Sequence, residues 1–400
     1  MQFVSKFLLL ITVMALGFAP QSIAQQQNID TAVAFGGRML GDEQSVRLIV
    51  ELDRKVETIP FYMDNPLRLV IDMSKTVFRF QEPKLLEPRG LVKDFRFGTM
   101  ARGNSRMVIS LKSTAKISRQ EVISTGNGRF RLTLDIEQTD ENSFYKLIAN
   151  QRKTVGKSGN VATKGDRLVV AKKRAGRKTI VLDPGHGGID GGANGKNGTI
   201  EKDITLAAAL RVEEALKSTG KFDVYLTRRD DHFISLKERV KFTIRKQADL
   251  FISIHADTLD QKSVRGATVY TLSNEASDEL SRKLAESENR ADLIAGLAGE
   301  EIKDEVVDIL ADLAARETKK FSVHFAKRVV EVFRNEIHLI KNPHRRAAFG
   351  VLKDPNVPSV LLELGYLSNV KDEKLLNSDK WRAKLARNLT QATKLYFSER

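Results

Sequence analysis

The pattern of apolar positions changes character twice along the chain. Within residues 29–138, the short stretches VRLIVEL (46–52), LRLVID (67–72), MVISL (107–111) and FRLTLDI (130–136) alternate or run apolar and are rich in β-branched residues, with Gly and Asn clusters at 103–104 and 126–128 between them. Few helical periods interrupt them, so this segment predicts a small all-β sandwich domain. From 139 to 178 no hydrophobic period is sustained; the stretches QRKTVGKSGNVATKGD and KKRAGRK are polar and basic, and a flexible basic linker is expected. From 179 to 398, apolar runs at 179–183 (TIVLD), 223–226, 250–254 (LFISI) and 359–363 (SVLLE) alternate with helical spacings at 204–216, 323–333 and 380–396. Such alternation predicts an α/β domain, a twisted and mostly parallel sheet flanked by helices.

The N-terminus sets the compartment. Lys6 precedes the apolar run FLLLITVMALGF (7–18), and a small-x-small pattern ends at Ala24. The apolar core is too short to span a bilayer comfortably, so residues 1–24 predict a cleavable signal peptide and an exported protein of the periplasm, with no transmembrane anchor. The chain has no cysteine, which excludes disulfides and thiolate chemistry and leaves His, Asp and Glu to hold any metal. Its 400 residues allow two domains with ample core, and a monomer is expected. The net charge of +15 draws the protein towards polyanions, which outside the cytoplasm means membrane surfaces and the carboxylate-bearing cell wall; nucleic acid is not an expected partner.

Three of the late strands end in chemistry. Asp183-Pro184-Gly185-His186, Ser253-Ile254-His255 and Leu361-Leu362-Glu363 each close an apolar run, and open α/β sheets place ligands beyond the carboxyl ends of their strands. The Gly-rich loop after His186 leads to Glu201, just before a helix on the same rim. Two His and one Glu make a common catalytic zinc set with a fourth position left for water, and a further carboxylate is then needed to carry the proton. Glu363 fits that need. A phosphate cradle fails in detail: Gly195-Lys196 is followed by Asn197 rather than Ser or Thr, and Asp190 stands where the dinucleotide fingerprint needs Gly. His232, His324, His338 and His344 lie outside these segments and read as surface or packing residues. Arg345 and Arg346 could hold a substrate carboxylate, Arg346 being the candidate, or could be solvated charges.

The segments IVLDPGHGGIDGGANG, NGTIEKDITL, LFISIHAD and VPSVLLELGYLSN, in that order, resemble the zinc-dependent N-acetylmuramoyl-L-alanine amidases of the amidase-3 type. The resemblance covers the chain from about residue 179 to its end. It implies one Zn2+ per catalytic domain, bound by His186, Glu201 and His255, with Glu363 as the catalytic glutamate. The substrate it implies is peptidoglycan, cut at the amide between N-acetylmuramic acid and L-alanine. Leu364 departs from the family pattern, which often has Thr there. The preceding β unit resembles the AMIN domains that target such enzymes to septal wall, which implies a role in splitting the wall at division.

Between residues 270 and 323 lies more sequence than a simple crossover requires, with helical periods at 280–284, 291–297 and 302–315 interleaved with acidic residues. An ordinary surface insertion is one reading. The stretch ESENRAD (286–292) resembles the blocking segment of division-associated amidases. That resemblance implies a regulatory insert at about 275–318, with Glu288 as inhibitory metal ligand and Glu286 as the second choice, and a periplasmic activator protein that binds the insert. A zinc peptidase cutting the stem peptide, and a catalytically silent wall-binding protein, are the alternatives.

Overall fold

The alternation in the first half of the chain becomes two stacked sheets. In the computed structural model, which describes residues 31–158, 176–297 and 309–399, nine strands precede any long helix. They are β1 (Ala32–Gly41), β2 (Ser45–Leu52), β3 (Thr58–Met63), β4 (Arg68–Met73), β5 (Thr76–Phe78), β6 (Val92–Thr99), β7 (Ser105–Leu111), β8 (Ala115–Gly126) and β9 (Arg129–Gln138). One sheet has the order β5-β1-β2-β9-β8 and the other β3-β4-β7-β6. Every second residue of β2 (Val46, Leu48, Val50, Leu52) points inward to meet Leu69, Ile71, Met107 and Ile109 of the facing sheet.

The expected linker is partly a helix. Residues 141–158 form α1 (Glu141–Ser158), which packs on β3, so the flexible segment expected from 139 onward is corrected there. Phe144 and Ile148, one turn apart, are buried, and Phe144 meets Tyr62 edge-on at 5.9 Å. Gln151 receives the Tyr62 N–H at 2.9 Å and donates to the Tyr62 carbonyl at 2.5 Å. The expected signal peptide lies outside the described residues, as do 159–175 of the linker and 298–308 of the insert.

The second half carries β10 (Lys178–Pro184), α2 (Glu201–Ser218), β11 (Phe222–Leu226), α3 (Leu236–Arg245), β12 (Leu250–His255) and β13 (Ala267–Leu272). Then come α4 (Glu279–Glu288), α5 (Ala291–Ile294), α6 (Ile309–Phe333), β14 (Leu339–Ala347), β15 (Ser359–Glu363), α7 (Val370–Leu376) and α8 (Asp379–Ser398). The sheet order is β11-β10-β12-β15-β13-β14, parallel except between β13 and β15. Ile180, Leu182, Ile252 and Leu362 pack under α2, α6 and α8, while Val181, Phe251 and Leu361 pack on the other face against α3 and α4. Burial on both faces is why these strands read as unbroken apolar runs. The insert is thus part of the body of the domain, with Leu284 and Ala285 of α4 in its second core. Among the described residues no helix is long and apolar enough to cross a membrane.

Candidate metal centre

Strand register brings the functional residues to one level. Pro184 pairs with Ile254 and His255 with Glu363, so β10, β12 and β15 end side by side. His186 follows β10 by two residues, His255 closes β12, Glu363 closes β15, and Glu201 opens α2.

The glycines of the loop after β10 serve ligand approach rather than phosphate binding. A Cβ on Gly185 would lie 2.4 Å from Cε1 of His255, and one on Gly192, whose φ is +67°, would lie 2.6 Å from Oε2 of Glu201 and 2.7 Å from Cδ2 of His186. His186 itself has φ of +60°, a conformation rare for a residue with a side chain and often found at functional sites. The turn that holds it is closed by Gly187 N–H to Asp190 carbonyl at 2.8 Å and the reciprocal bond at 3.1 Å. Buried arginines brace this loop from below. Arg239 Nη1 donates to Asp183 Oδ1 at 2.6 Å and Nη2 to the His186 carbonyl at 2.8 Å, while Arg228 Nη2 donates to the Gly185 carbonyl at 2.8 Å.

Four ligand atoms converge. Nε2 of His186 lies 3.2 Å from Oε1 of Glu201 and 3.6 Å from Oε2 of Glu288; Nδ1 of His255 lies 3.3 Å and 3.1 Å from the same two oxygens. All four atoms fall within 4.8 Å of one another, and all four residues are buried. A tetrahedral ion with bonds of about 2.0–2.1 Å has ligand–ligand edges of about 3.3–3.4 Å, close to the four His–Glu distances of 3.1–3.6 Å, so the set could hold a four-coordinate metal ion. His186 Nε2, His255 Nδ1 and Glu363 Oε1 are buried without a hydrogen-bond partner, which also fits residues arranged to hold a cation.

The electrostatics agree. Burial alone would lower the His186 imidazole, but Asp190, Glu201 and Glu288 around it carry it well above its usual range. Burial would raise Glu201, yet the charges and hydrogen bonds of His186 and His255 hold it well below the carboxylate range. Burial, then the neighbouring Glu201, Asp257 and Glu288 carboxylates, push Glu363 well above it. Glu363 lies outside the four-atom set; its Oε2 accepts the Asp257 N–H at 3.2 Å. A basic group held out of the metal set but beside it is the geometry a proton carrier needs.

Two further residues complete the centre: Asp190, in the loop after His186, and Asp257, in the strand-end run that follows His255. Asp190 Oδ2 lies 2.8 Å from His186 Nδ1, fixing the ring so that Nε2 faces the cluster, and its Oδ1 accepts the Gly192 N–H at 3.1 Å. Asp257 is buried beside Glu363, its carboxyl raised well above the usual range by burial and by Glu201 and Glu288. The structure also separates the two acidic candidates in the insert. Glu288 faces the cluster, whereas Glu286 is exposed and paired with Arg282. Arg346 is exposed on β14, outside the cluster, with its backbone N–H on Ser277; Arg345 is paired with Asp278 at 2.9 Å. His232 pairs with Asp230, His324 lies 3.1 Å from Glu399, His344 lies 3.1 Å from Thr271, and His338 packs against Gly266, all away from the metal set. Leu364 is buried in the core under α2, α6 and α8, a packing role.

α4 closes the site from above. Its N-cap Asp278 is tied to Arg345, and past its C-terminus Asn289 donates to the Ala348 carbonyl at 2.9 Å and accepts the Gly350 N–H at 2.7 Å. The cleft left beside the centre is lined by His186, His255, Glu288, Asn289 and Phe349 among others.

This fold and donor set define a metal-site hydrolase domain, and comparison with known families specifies it. The N-acetylmuramoyl-L-alanine amidase family model matches residues 180–394, and the AMIN domain model matches residues 39–129. The chain belongs to the N-acetylmuramoyl-L-alanine amidase family, with an AMIN domain ahead of the catalytic one. It is 31% identical over 369 residues to the N-acetylmuramoyl-L-alanine amidase AmiC of Escherichia coli O6:H1, covering 88% of this chain and 87% of that one. It is 40% identical over 228 residues to AmiA of Escherichia coli strain K12, covering 57% of this chain and 78% of that one. Among solved structures, AmiC2 of Nostoc punctiforme aligns with a TM-score of 0.42 at 27% identity, over 56% of this chain and 99% of that one.

Proposed function

We propose that the protein is an exported, autoinhibited zinc amidase that cuts the bond between N-acetylmuramic acid and L-alanine in peptidoglycan, for wall splitting at division. The observation that carries this reading is the four-atom set of His186, Glu201, His255 and Glu288, with Glu363 beside it and unbound. His186, Glu201 and His255 would hold one zinc, and the Glu288 carboxylate beside them would keep water from it. A zinc held there would supply polarisation of the scissile carbonyl and acidification of a water molecule. Glu363 takes the proton of the attacking water and passes it to the leaving amine of L-alanine; its raised basicity suits that relay. Asp190 keeps His186 in register, and Arg346, exposed on β14, receives a carboxylate of the stem peptide.

While Glu288 stays in place no water is activated, so a periplasmic activator that binds the insert and draws α4 aside would switch the enzyme on. The protein reaches the periplasm through the signal peptide at 1–24, and the AMIN domain attaches it to the wall. The test is product analysis on purified sacculi with the insert-relieved variant Glu288→Ala. Free lactyl-muramic sugar is expected, abolished by a strong chelator and restored by zinc; shortened peptides instead, or full activity without metal, would overturn the reading.

A further inference from the structure

Directly after Glu288 the chain turns at Asn289 and Arg290, forms α5 and continues to Leu297. The carbonyls at the end of this short helix meet two arginines of the AMIN domain. Arg106, 8% exposed, grips Asp72 through Nε at 2.5 Å and Nη2 at 2.9 Å, and its Nη1 donates to the carbonyls of Ala295 at 2.9 Å and Gly296 at 3.1 Å. Arg68, 2% exposed, donates to the Leu293 carbonyl. The Leu293 carbonyl also accepts the Gly296 N–H at 3.0 Å; the guanidinium groups add charged donors to this turn of backbone carbonyls.

Gly296 sits between the arginines with φ of +66°, and a Cβ there would lie 3.0 Å from a Val70 methyl and 3.1 Å from a Val108 methyl. Val70 and Val108 point to the opposite face of their strands from Leu69, Ile71, Met107 and Ile109, which fill the sandwich core. They join Ala291 and Ala295 of the insert, and Ile189 and Phe233 of the catalytic body, in a separate apolar cluster, so this outer face of the AMIN sheet is dry because the insert and the catalytic body together cover it. From the catalytic side, Asp292 accepts the Leu236 N–H at 3.0 Å. Glu288 and Ala291, the first residue of α5, are three Cα steps apart, a reach of at most about 11 Å, so pinning α5 limits how far Glu288 can move from the centre.

We infer that the outer face of the β3-β4-β7-β6 sheet is a clamp for the inhibitory segment, a function of the AMIN domain distinct from wall attachment. The inference rests on the reading of Glu288 as the blocking ligand. It makes release of α4 depend on the domain that meets the wall: the segment leaves only when Arg68, Arg106 and the Val70–Val108 seat give it up.

The experiment is hydrogen–deuterium exchange on the full-length protein, with and without zinc, comparing the parent with an Arg68→Ala/Arg106→Ala double variant and with Gly296→Val. Exchange at residues 290–297 should be at least tenfold faster in both variants, while β2, β9 and β12 keep their protection. Basal hydrolysis of a soluble muropeptide, which needs no wall attachment, should rise several-fold. Unchanged exchange at 290–297 overturns the clamp; if the double variant loses protection in β2 and β9, Gly296→Val, which alters no residue of the sheet, decides. Glu288→Ala separates the two readings. If it raises hydrolysis and the clamp variants do not, the sheet is no part of the lock and the clamp falls. If it leaves hydrolysis flat while exchange at 290–297 rises in the clamp variants, the sheet does hold the segment, but the autoinhibition reading falls and the clamp's control of activity falls with it.

Discussion

Asp190 and Glu363 are both buried carboxylates of the same centre, yet removing them should have opposite signatures. Asp190 acts through the His186 ring, so Asp190→Asn should weaken zinc binding about 10- to 100-fold, read by competition with a chromophoric chelator. Glu363 lies outside the ligand set, so Glu363→Ala should keep near-stoichiometric zinc and lose about two to four orders of magnitude in turnover. Loss of zinc in Glu363→Ala would make it a ligand and end this division of roles. His186, His255 and Glu363 were legible in the sequence because each closes an apolar run whose burial is itself legible. Asp190 was not. It lies in an irregular loop where spacing carries no period, and only the Gly187–Asp190 turn folds its side chain back onto His186. Glu286 and Glu288 could be separated only once α4 was known to be a helix docked by Leu284 and Ala285. At about 100° per residue, positions two apart face away from each other, and one of the pair must point to solvent.

At the scale of elements, patterning worked where a face is buried over several turns and failed where the buried stripe is short. β2, β4, β7 and β9 of the first domain, β10, β11, β12 and β15 of the second, and the helices α2 and α8 with the later part of α6 follow from their periods; β13 and β14, among others, do not. α1 does not, because Phe144 and Ile148 are its buried apolar positions within a segment that soon turns basic. The helix nevertheless closes one side of the AMIN domain, since it fills the surface around Tyr62. Phe144→Ala should therefore cost the AMIN domain about 3–5 kcal/mol. Urea denaturation followed by a probe confined to that domain would show it, and a loss below about 1 kcal/mol, the range of surface substitutions, would mean the helix is only laid on. The continuous apolar reading of LRLVID and MVISL has a comparable cause: Val70 and Val108 are buried on the face away from the sandwich core, and what buries them is distant in sequence.

For the whole molecule, the boundary of the AMIN domain matters to any test of targeting. A fragment ending at 138 would omit α1, so the fragment to use is 29–158. It should co-sediment with purified sacculi, while residues 176–399 alone should sediment much less; equal sedimentation of the two would remove targeting from the AMIN domain. The seam between the domains has a further implication. Gly98 at the end of β6 lies so close to the loop that carries His186 that a Cβ there would come within 2.2 Å of the Ile189 nitrogen. Beside it, Thr99 accepts the Phe233 N–H and Ala101 donates to the Phe233 carbonyl, each at 2.9 Å. A hybrid spliced anywhere within 159–175 would rejoin the polypeptide and still mismatch this contact, unless the incoming domain also brought a glycine and a free strand edge to the same place. Recombination would therefore have to treat the two domains as one heritable piece, although they resemble separate modules in sequence.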